Sequence, residues 1–263
     1  MNNAIVLLSG GLDSVVSLAS IISEYSKILA LTFDYGQKSF IPEKKAAENI
    51  AKYYSIEHKI ISLDWLAKIS TSTLNTNDDV PIIEKSSLDD YDVASKTSKS
   101  VWVPNRNGLF LNIAGCYADA FEYNSIIIGA NLEESSTFKD NSKAFINSVN
   151  QLLKNSTNSN VQVVAPLIDK TKQQIVSMAI ELNVPFEYIY SCYLNGDKHC
   201  GKCESCQRLK RALEQNNRLD LLNKIFSWGL LCKHCLLIKK LIILVNNLLH
   251  IGYIKISILW VML

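Results

Sequence analysis

The apolar run Ala4 to Leu8 gives way at once to Ser9-Gly10-Gly11-Leu12-Asp13-Ser14. A short continuous apolar run bounded by a glycine pair reads as a buried strand ending in a turn. From Ser14 the spacing changes. Val15, Val16, Leu18, Ala19 and Ile22 recur at a helical period. Ile28 to Phe33 predicts a second strand, ending in Asp34-Tyr35-Gly36-Gln37. Ala46, Ala47, Ile50 and Ala51 mark a second helical face, and Glu57 to Leu63 a third strand. Residues 70–100 break the rhythm: Ser, Thr, Asn and Asp dominate, which predicts a lid-like insertion without regular structure. Helical spacing returns from Gly108 to Tyr123, with Leu111, Ala114, Cys116 and Ala118 on the apolar face. Ser125 to Gly129 holds three consecutive isoleucines and reads as a strand buried on both faces. A helix over Ser142 to Leu153, a strand over Val161 to Val164, and a helix from Lys172 to Leu182 before Pro185 complete the pattern. The alternation predicts an α/β fold: a doubly wound, mostly parallel five-stranded sheet with helices on both faces. Right-handed crossovers then place ligands at the carboxyl ends of the strands.

The first strand–turn–helix junction has the physical make-up of an anion site. A Gly-Gly turn presents backbone N–H groups, and a helix start adds about half a positive charge. Ser9 and Ser14 can add hydroxyl donors. Asp13 would repel phosphate unless a divalent cation lay between, which makes it a candidate Mg²⁺ contact. The loop is neither G-x-x-x-x-G-K-[ST] nor G-x-G-x-x-G.

Charge refines the picture. The net +2 of the 263-residue chain hides an asymmetry: residues 1–220 hold all 25 acidic residues and 22 of the 27 basic ones, a net of −3. Residues 221–263 carry only positive charge. A mildly acidic body does not predict nucleic-acid binding. The N-terminal apolar run lacks a charged leader, so a cytoplasmic protein is expected, with no membrane span. In a reducing compartment the seven cysteines argue for metal or chemistry rather than disulfides. Four of them, Cys192, Cys200, Cys203 and Cys206, form C-x7-C-x2-C-x2-C, a spacing that suits tetrahedral Zn²⁺. With four thiolates such a zinc is structural. An iron–sulfur cluster and a redox pair are the rival readings.

Ser9-Gly10-Gly11-Leu12-Asp13-Ser14 resembles the PP-loop of the ATP pyrophosphatases, which cleave ATP between its α and β phosphates and adenylate a substrate oxygen. Further pieces narrow the resemblance. They are Tyr35-Gly36-Gln37, Val103-Pro104-Asn105-Arg106-Asn107, Gly129-Ala130-Asn131, Pro166-Leu167 with Lys172, and Ser191-Cys192-Tyr193 leading into the cysteines. In this order, over about residues 4–212, the chain resembles the 7-cyano-7-deazaguanine synthases of queuosine biosynthesis. The resemblance implies an adenine-nucleotide alpha-hydrolase-like fold and an ATP-dependent carbon–nitrogen ligase. A carboxylate on 7-carboxy-7-deazaguanine is adenylated, ammonia displaces AMP, and a second ATP converts the amide to the nitrile. It also implies a homodimer that takes small-molecule substrates and makes no direct nucleic-acid contact.

The same resemblance assigns residues. Leu8, Ser9, Gly10, Gly11, Leu12, Asp13 and Ser14 would hold the phosphates, with Mg²⁺; Thr32, Phe33 and Asp34 would meet the adenosine. Asp13, Arg106 and Lys172 would be catalytic. Tyr35, Gln37, Trp102, Asn105, Arg106, Asn131 and Asp140 would contact the deazapurine. Blander readings stand beside these. Arg106 could be a surface arginine, Lys172 a first-turn helix lysine, Asn131 a turn former and Trp102 a core residue. Two departures are visible. Lys38 stands where the family usually has arginine, and Ser136 to Ser142 retains Asp140 but lacks the usual Cys and Arg of an Asp-Cys-Arg segment. Alternative functions are a PP-loop synthetase that stops at the amide, a tRNA thiolase, and a zinc-knuckle nucleotide or nucleic-acid binder.

Three segments follow: a PP-loop domain over 1–190 with the insertion at 70–100, a zinc segment and helix over 191–216, and an atypical tail over 217–263. The tail is rich in Leu and Ile and carries a half-site, Cys232-Lys233-His234-Cys235. A helix pair, a membrane-surface segment and out-of-frame translation are its readings, the third favoured by the abrupt loss of acids.

Overall fold

The computed structural model describes residues 2–227. Five parallel strands lie in the order β3-β2-β1-β4-β5: β1 (Asn3–Leu7), β2 (Lys27–Asp34), β3 (Glu57–Ser62), β4 (Ser125–Ile127) and β5 (Gln162–Val164). Central β1 is buried from Ala4 to Leu7, whereas edge strand β3 has no buried residue, only His58 and Ile61 being half-covered. The strands are connected by α1 (Leu12–Ile21), α2 (Phe40–Tyr53), α3 (Asp64–Ile69), α4 (Tyr91–Ser100), α5 (Arg106–Phe121), α6 (Leu132–Ser135) and α7 (Lys143–Ser156), and α8 (Lys172–Glu181), α9 (Glu204–Gln215) and α10 (Leu219–Ile225) follow β5.

From β1 the chain winds outward through β2 to β3, then returns to lay β4 on the other side of β1. Right-handed crossovers in opposite directions place α1 and α2 on one face and α5 and α7 on the other. The packing of α8 on α1 and of α5 on α7 agrees with that division. The direction of winding reverses between β1 and β4, so a crevice opens outside their carboxyl ends. The Gly-rich loop lies at that point.

Three sequence expectations differ from the structure. Residues 70–100 are not a structureless lid. They hold a 3₁₀ turn at Lys85–Ser87 and α4, whose first turn is capped by the Asp90 carboxylate. Val80, Ile83, Leu88 and Ala94 are buried. Ile82 bridges to Cys203, and Ile83 N–H donates to Lys202 O at 3.1 Å, so the insertion is stitched to the cysteine segment. These apolar residues lack a period because they pack on several different partners, and a periodicity reading misses such a segment.

The second difference concerns residues 217–226, grouped by sequence with the tail. Here α10 packs on α9, Phe226 is fully buried, and one compact unit runs to Phe226. The Cys232–Cys235 half-site and the readings of the tail lie outside the described residues. Cys116, expected in the core, is exposed. Among the described residues no helix is long and apolar enough to cross a membrane.

Candidate active site and cysteine centre

The loop after β1 is pressed against two neighbours. Gly10 has φ +80°, and a Cβ there would lie 2.6 Å from Ala46 Cβ and 2.9 Å from Ala47 N. Gly129, after β4, passes so close that its Cβ would meet the Asp13 and Ser14 backbone at 2.8 Å. Only glycine allows both approaches. Within the turn, Ser14 Oγ donates to Gly11 O at 3.0 Å, Gly11 N–H donates to Ser9 Oγ at 3.3 Å, and the two serine hydroxyls lie 3.2 Å apart.

This loop walls a cavity of about 230 Å³. Leu8, Ser9, Gly11, Leu12, Asp13 and Ser14 line it, with Thr32, Phe33, Tyr35, Gln37, Arg106 and Lys172. Gly10 and Asp34 lie outside its wall. Asp34 instead accepts from Gly36 N–H at 3.1 Å and shapes the turn after β2. Gln37 is buried and braces the same turn, accepting from Tyr35 N–H and donating to Phe33 O, each at 3.0 Å. Phe33 stacks on Phe110, ring centroids 4.0 Å apart, which leaves an aromatic surface on the cavity wall.

Electrostatics concentrate around Lys172, at the start of α8. Its ammonium donates to Asp13 Oδ2 at 2.5 Å and to Glu134 Oε1 at 3.2 Å. Burial pushes the Asp13 carboxyl up to about 6, and Lys172 opposes that shift only in part. Burial alone would discharge Lys172, but Asp13 and Glu134 hold it above its ordinary value. Asp13 Oδ1 is buried without a hydrogen-bond partner. An orphaned carboxylate oxygen in a phosphate-sized crevice fits a hard divalent cation. Beneath the lysine, Glu133 receives Lys172 N–H at 2.7 Å, Arg208 at 3.0 Å and Arg211 at 3.1 Å. One carboxylate thereby joins α6, α8 and α9.

Across the cavity, Arg106 donates to the Tyr35 hydroxyl at 3.4 Å and to Asn107 Oδ1 at 3.3 Å. Burial disfavours its charge, yet Tyr35 and Asp140 hold it charged and above its usual value. Besides Gly10 and Asp34, four sequence candidates do not reach this cavity wall. Trp102 is on the surface, stacked against Phe138 at 6.4 Å. Asn105 is exposed in a left-handed conformation at the start of α5, folded over Gly108. Asn131 is buried and caps α6, donating to Asp13 Oδ2 at 3.3 Å. Asp140 is buried beside Arg106, and its backbone O accepts from Asn107 at 3.2 Å. The cavity instead exposes Glu43, Phe110, Glu134, Ser191 and Tyr193. Of these, Glu134 follows a predicted strand end, and Ser191 and Tyr193 flank a cysteine; Glu43 and Phe110 have no local sequence signal.

The four cysteines of the C-x7-C-x2-C-x2-C segment converge. Their sulfurs all lie within 4.8 Å of one another, and the Cys200–Cys206 separation is 3.8 Å. Tetrahedral zinc with thiolates at about 2.3 Å requires sulfur–sulfur edges of roughly 3.8 Å, so the set can hold such an ion. Backbone N–H groups of Leu194, Cys200, Lys202 and Cys203 point at Cys192 and Cys200 sulfurs at 3.3–3.4 Å, an arrangement that favours thiolates. His199 is not a fifth ligand; its Nε2 accepts from Ser191 N–H at 2.8 Å.

The family model described as "Queuosine biosynthesis protein QueC" matches residues 3–217. The chain is similar to a 7-cyano-7-deazaguanine synthase from Methanobrevibacter smithii, 46% identical over 211 residues, covering 80% of this chain and 92% of that protein. It is similar to another from Carboxydothermus hydrogenoformans, 47% identical over 215 residues, covering 81% and 98%. Among solved structures, an NMN synthetase from Francisella tularensis is 17% identical with TM-score 0.45, covering 87% of this chain and 89% of that one. With the match running from the first strand through the helix after the cysteines, and relatives nearly half identical across almost their whole length, the chain belongs to the QueC family of queuosine biosynthesis proteins.

Proposed function

We infer that this enzyme makes 7-cyano-7-deazaguanine from 7-carboxy-7-deazaguanine, ammonia and ATP, releasing AMP and pyrophosphate. The observation that carries the reading is spatial. Asp13, Arg106 and Lys172, far apart in sequence, line one cavity over a Gly-rich loop at the sheet's switch point.

The substrate carboxylate attacks the α-phosphate of ATP, forming an acyl adenylate as the bond to pyrophosphate breaks. Ammonia then displaces AMP to give the amide. The amide oxygen takes AMP from a second ATP as its pyrophosphate leaves, and loss of that AMP with the remaining amide protons leaves the nitrile. The activated leaving group makes a protein nucleophile unnecessary, so the residues act by position and charge. The loop N–H groups and the Ser9 and Ser14 hydroxyls hold pyrophosphate. Lys172 gives up a carboxylate partner to meet the phosphates as they enter. Arg106, charged and half-buried, grips the deazapurine carboxylate in a fork. Phe33 and Phe110 offer a flat apolar surface to a purine ring.

Asp13 Oδ1 would hold Mg²⁺, which supplies positive charge against the departing pyrophosphate. The four cysteines would hold structural zinc, filling every coordination position. Asn131 acts on Asp13 rather than on a base edge. Asp140 acts by holding Arg106 charged, and Trp102 and Asn105 shape the rim. A homodimer in the cytoplasm, where thiols stay reduced, suits this chemistry.

The test is a single incubation with ATP, Mg²⁺, ammonium and 7-carboxy-7-deazaguanine. AMP and pyrophosphate should form only with the deazapurine present, and product mass separates nitrile from amide. ADP in place of AMP, or ATP turnover indifferent to the deazapurine, refutes the reading.

A further inference from the structure

Ser191 stands immediately before Cys192, and the nucleotide loop and the cysteine segment meet at this residue. Its hydroxyl oxygen accepts from Leu12 N–H at 3.1 Å, across 179 positions of sequence. Its own N–H donates to His199 Nε2 at 2.8 Å. Its carbonyl accepts from Ser205 Oγ at 2.6 Å, and Ser205 sits between the ligands Cys203 and Cys206. The preceding Tyr190 N–H donates to Gly10 O at 2.9 Å. Backbone and side chain of Ser191 are therefore held from both sides. Ser191 lies on the cavity wall. Having accepted from Leu12, it still has a proton to give, and among the described residues no protein acceptor takes it. A hydroxyl polarised by a backbone donor is the better donor to an anion, because hydrogen bonds in series strengthen one another.

We propose that Ser191 is a phosphate-binding residue of the nucleotide site, supplied by the cysteine segment: it relays Leu12 N–H through its own hydroxyl to an oxygen of the pyrophosphate moiety. This rests on the ATP reading given above. The cysteine centre thereby gains a role in nucleotide affinity besides holding its own segment together. Bound metal fixes Cys192, Cys203 and Cys206, Ser205 and His199 fix the Ser191 backbone, and the hydroxyl is held at the loop.

The experiment is calorimetric titration of the metal-loaded full chain with Mg²⁺-pyrophosphate and, separately, with adenosine. Ser191→Ala should weaken pyrophosphate by at least about tenfold, the worth of one hydrogen bond to a charged group. Its adenosine affinity and bound metal should not change. Ser191→Thr, which keeps the hydroxyl, should recover most of the loss. Ser205→Ala leaves all four thiols in place but frees the Ser191 carbonyl, and should weaken pyrophosphate several-fold with metal content unchanged. Unaltered protein that binds both ligands, beside an S191A variant that holds pyrophosphate equally well, overturns this proposal alone. An equal loss for adenosine and pyrophosphate also overturns it, since that reports a collapsed cavity. Unaltered protein that binds neither ligand overturns the nucleotide reading and this proposal with it. Full pyrophosphate affinity in S205A overturns the link to the cysteine segment.

Discussion

Asp13→Asn isolates the charge at the centre of the site. The change keeps shape and removes a carboxylate that burial, the largest cause, together with Glu134 and Glu133 has raised from its ordinary 3.8 to about 6, against the pull of Lys172. In the unfolded chain the same group titrates at an ordinary carboxylate value. Between those two values the folded protein binds more protons at Asp13 than the unfolded one, so stability falls as pH rises through this window and is level above it. Two units at about 1.4 kcal/mol each give a penalty of about 3 kcal/mol, fully present at neutral pH and relieved in acid. Asparagine carries no such titration. Urea unfolding of both proteins in magnesium-free buffer, at intervals from about pH 4 to pH 7, measures the difference directly. The stability of the unaltered protein relative to the variant should fall by about 2 kcal/mol or slightly more across that range, while the variant loses on the order of 10²-fold or more in turnover. A difference that stays flat or grows with pH would refute the reasoning, because it would mean that Lys172 outweighs burial.

Arg106→Lys keeps the charge but loses the planar fork, and kcat/KM for the carboxy-deazapurine should fall by about 10²-fold with KM for ATP unchanged. A matching rise in KM for ATP would move the guanidinium to the phosphates. Metal analysis of the unaltered protein should find about one zinc per chain, the tetrathiolate stoichiometry, and Cys203→Ser should reduce it sharply; iron or no metal overturns the zinc assignment. Phe226→Ala opens a cavity beneath His199 and should cost about 3–5 kcal/mol in urea unfolding. A loss below about 1 kcal/mol would place α10 outside the folding unit.

The strands were legible because three of them are short apolar runs with abrupt polar ends, and the loop after β1 because its glycines and serines stand together. The cysteine centre was legible from spacing alone. What local pattern could not give is which strand-end groups turn inward. Asn131 matched a purine reader by type, yet its buried amide serves Asp13 and the start of α6. Trp102 matched a stacking residue, but Phe138 is its partner. Glu133 was equally illegible: its importance comes from three donors brought together by α8 and α9, more than 35 residues away. Residues 70–100 read as irregular because Ile82 and Ile83 are ordered by Lys202 and Cys203, far along the chain, and because the buried face of α4 is Ala94, Thr97 and Ser98 rather than an apolar stripe.

The bond from Tyr190 to Gly10 and that from Leu12 to Ser191 have a consequence for biosynthesis. The glycine loop is synthesised well before the groups that brace it, which come from positions 172, 190 and 191. Sheet and early helices can condense as the chain emerges, since N-terminal regions fold first during synthesis. Nucleotide competence cannot arise until the last of these bracing groups has left the exit tunnel. A nascent chain that has not yet released these groups is therefore a folded body with an unfinished phosphate site.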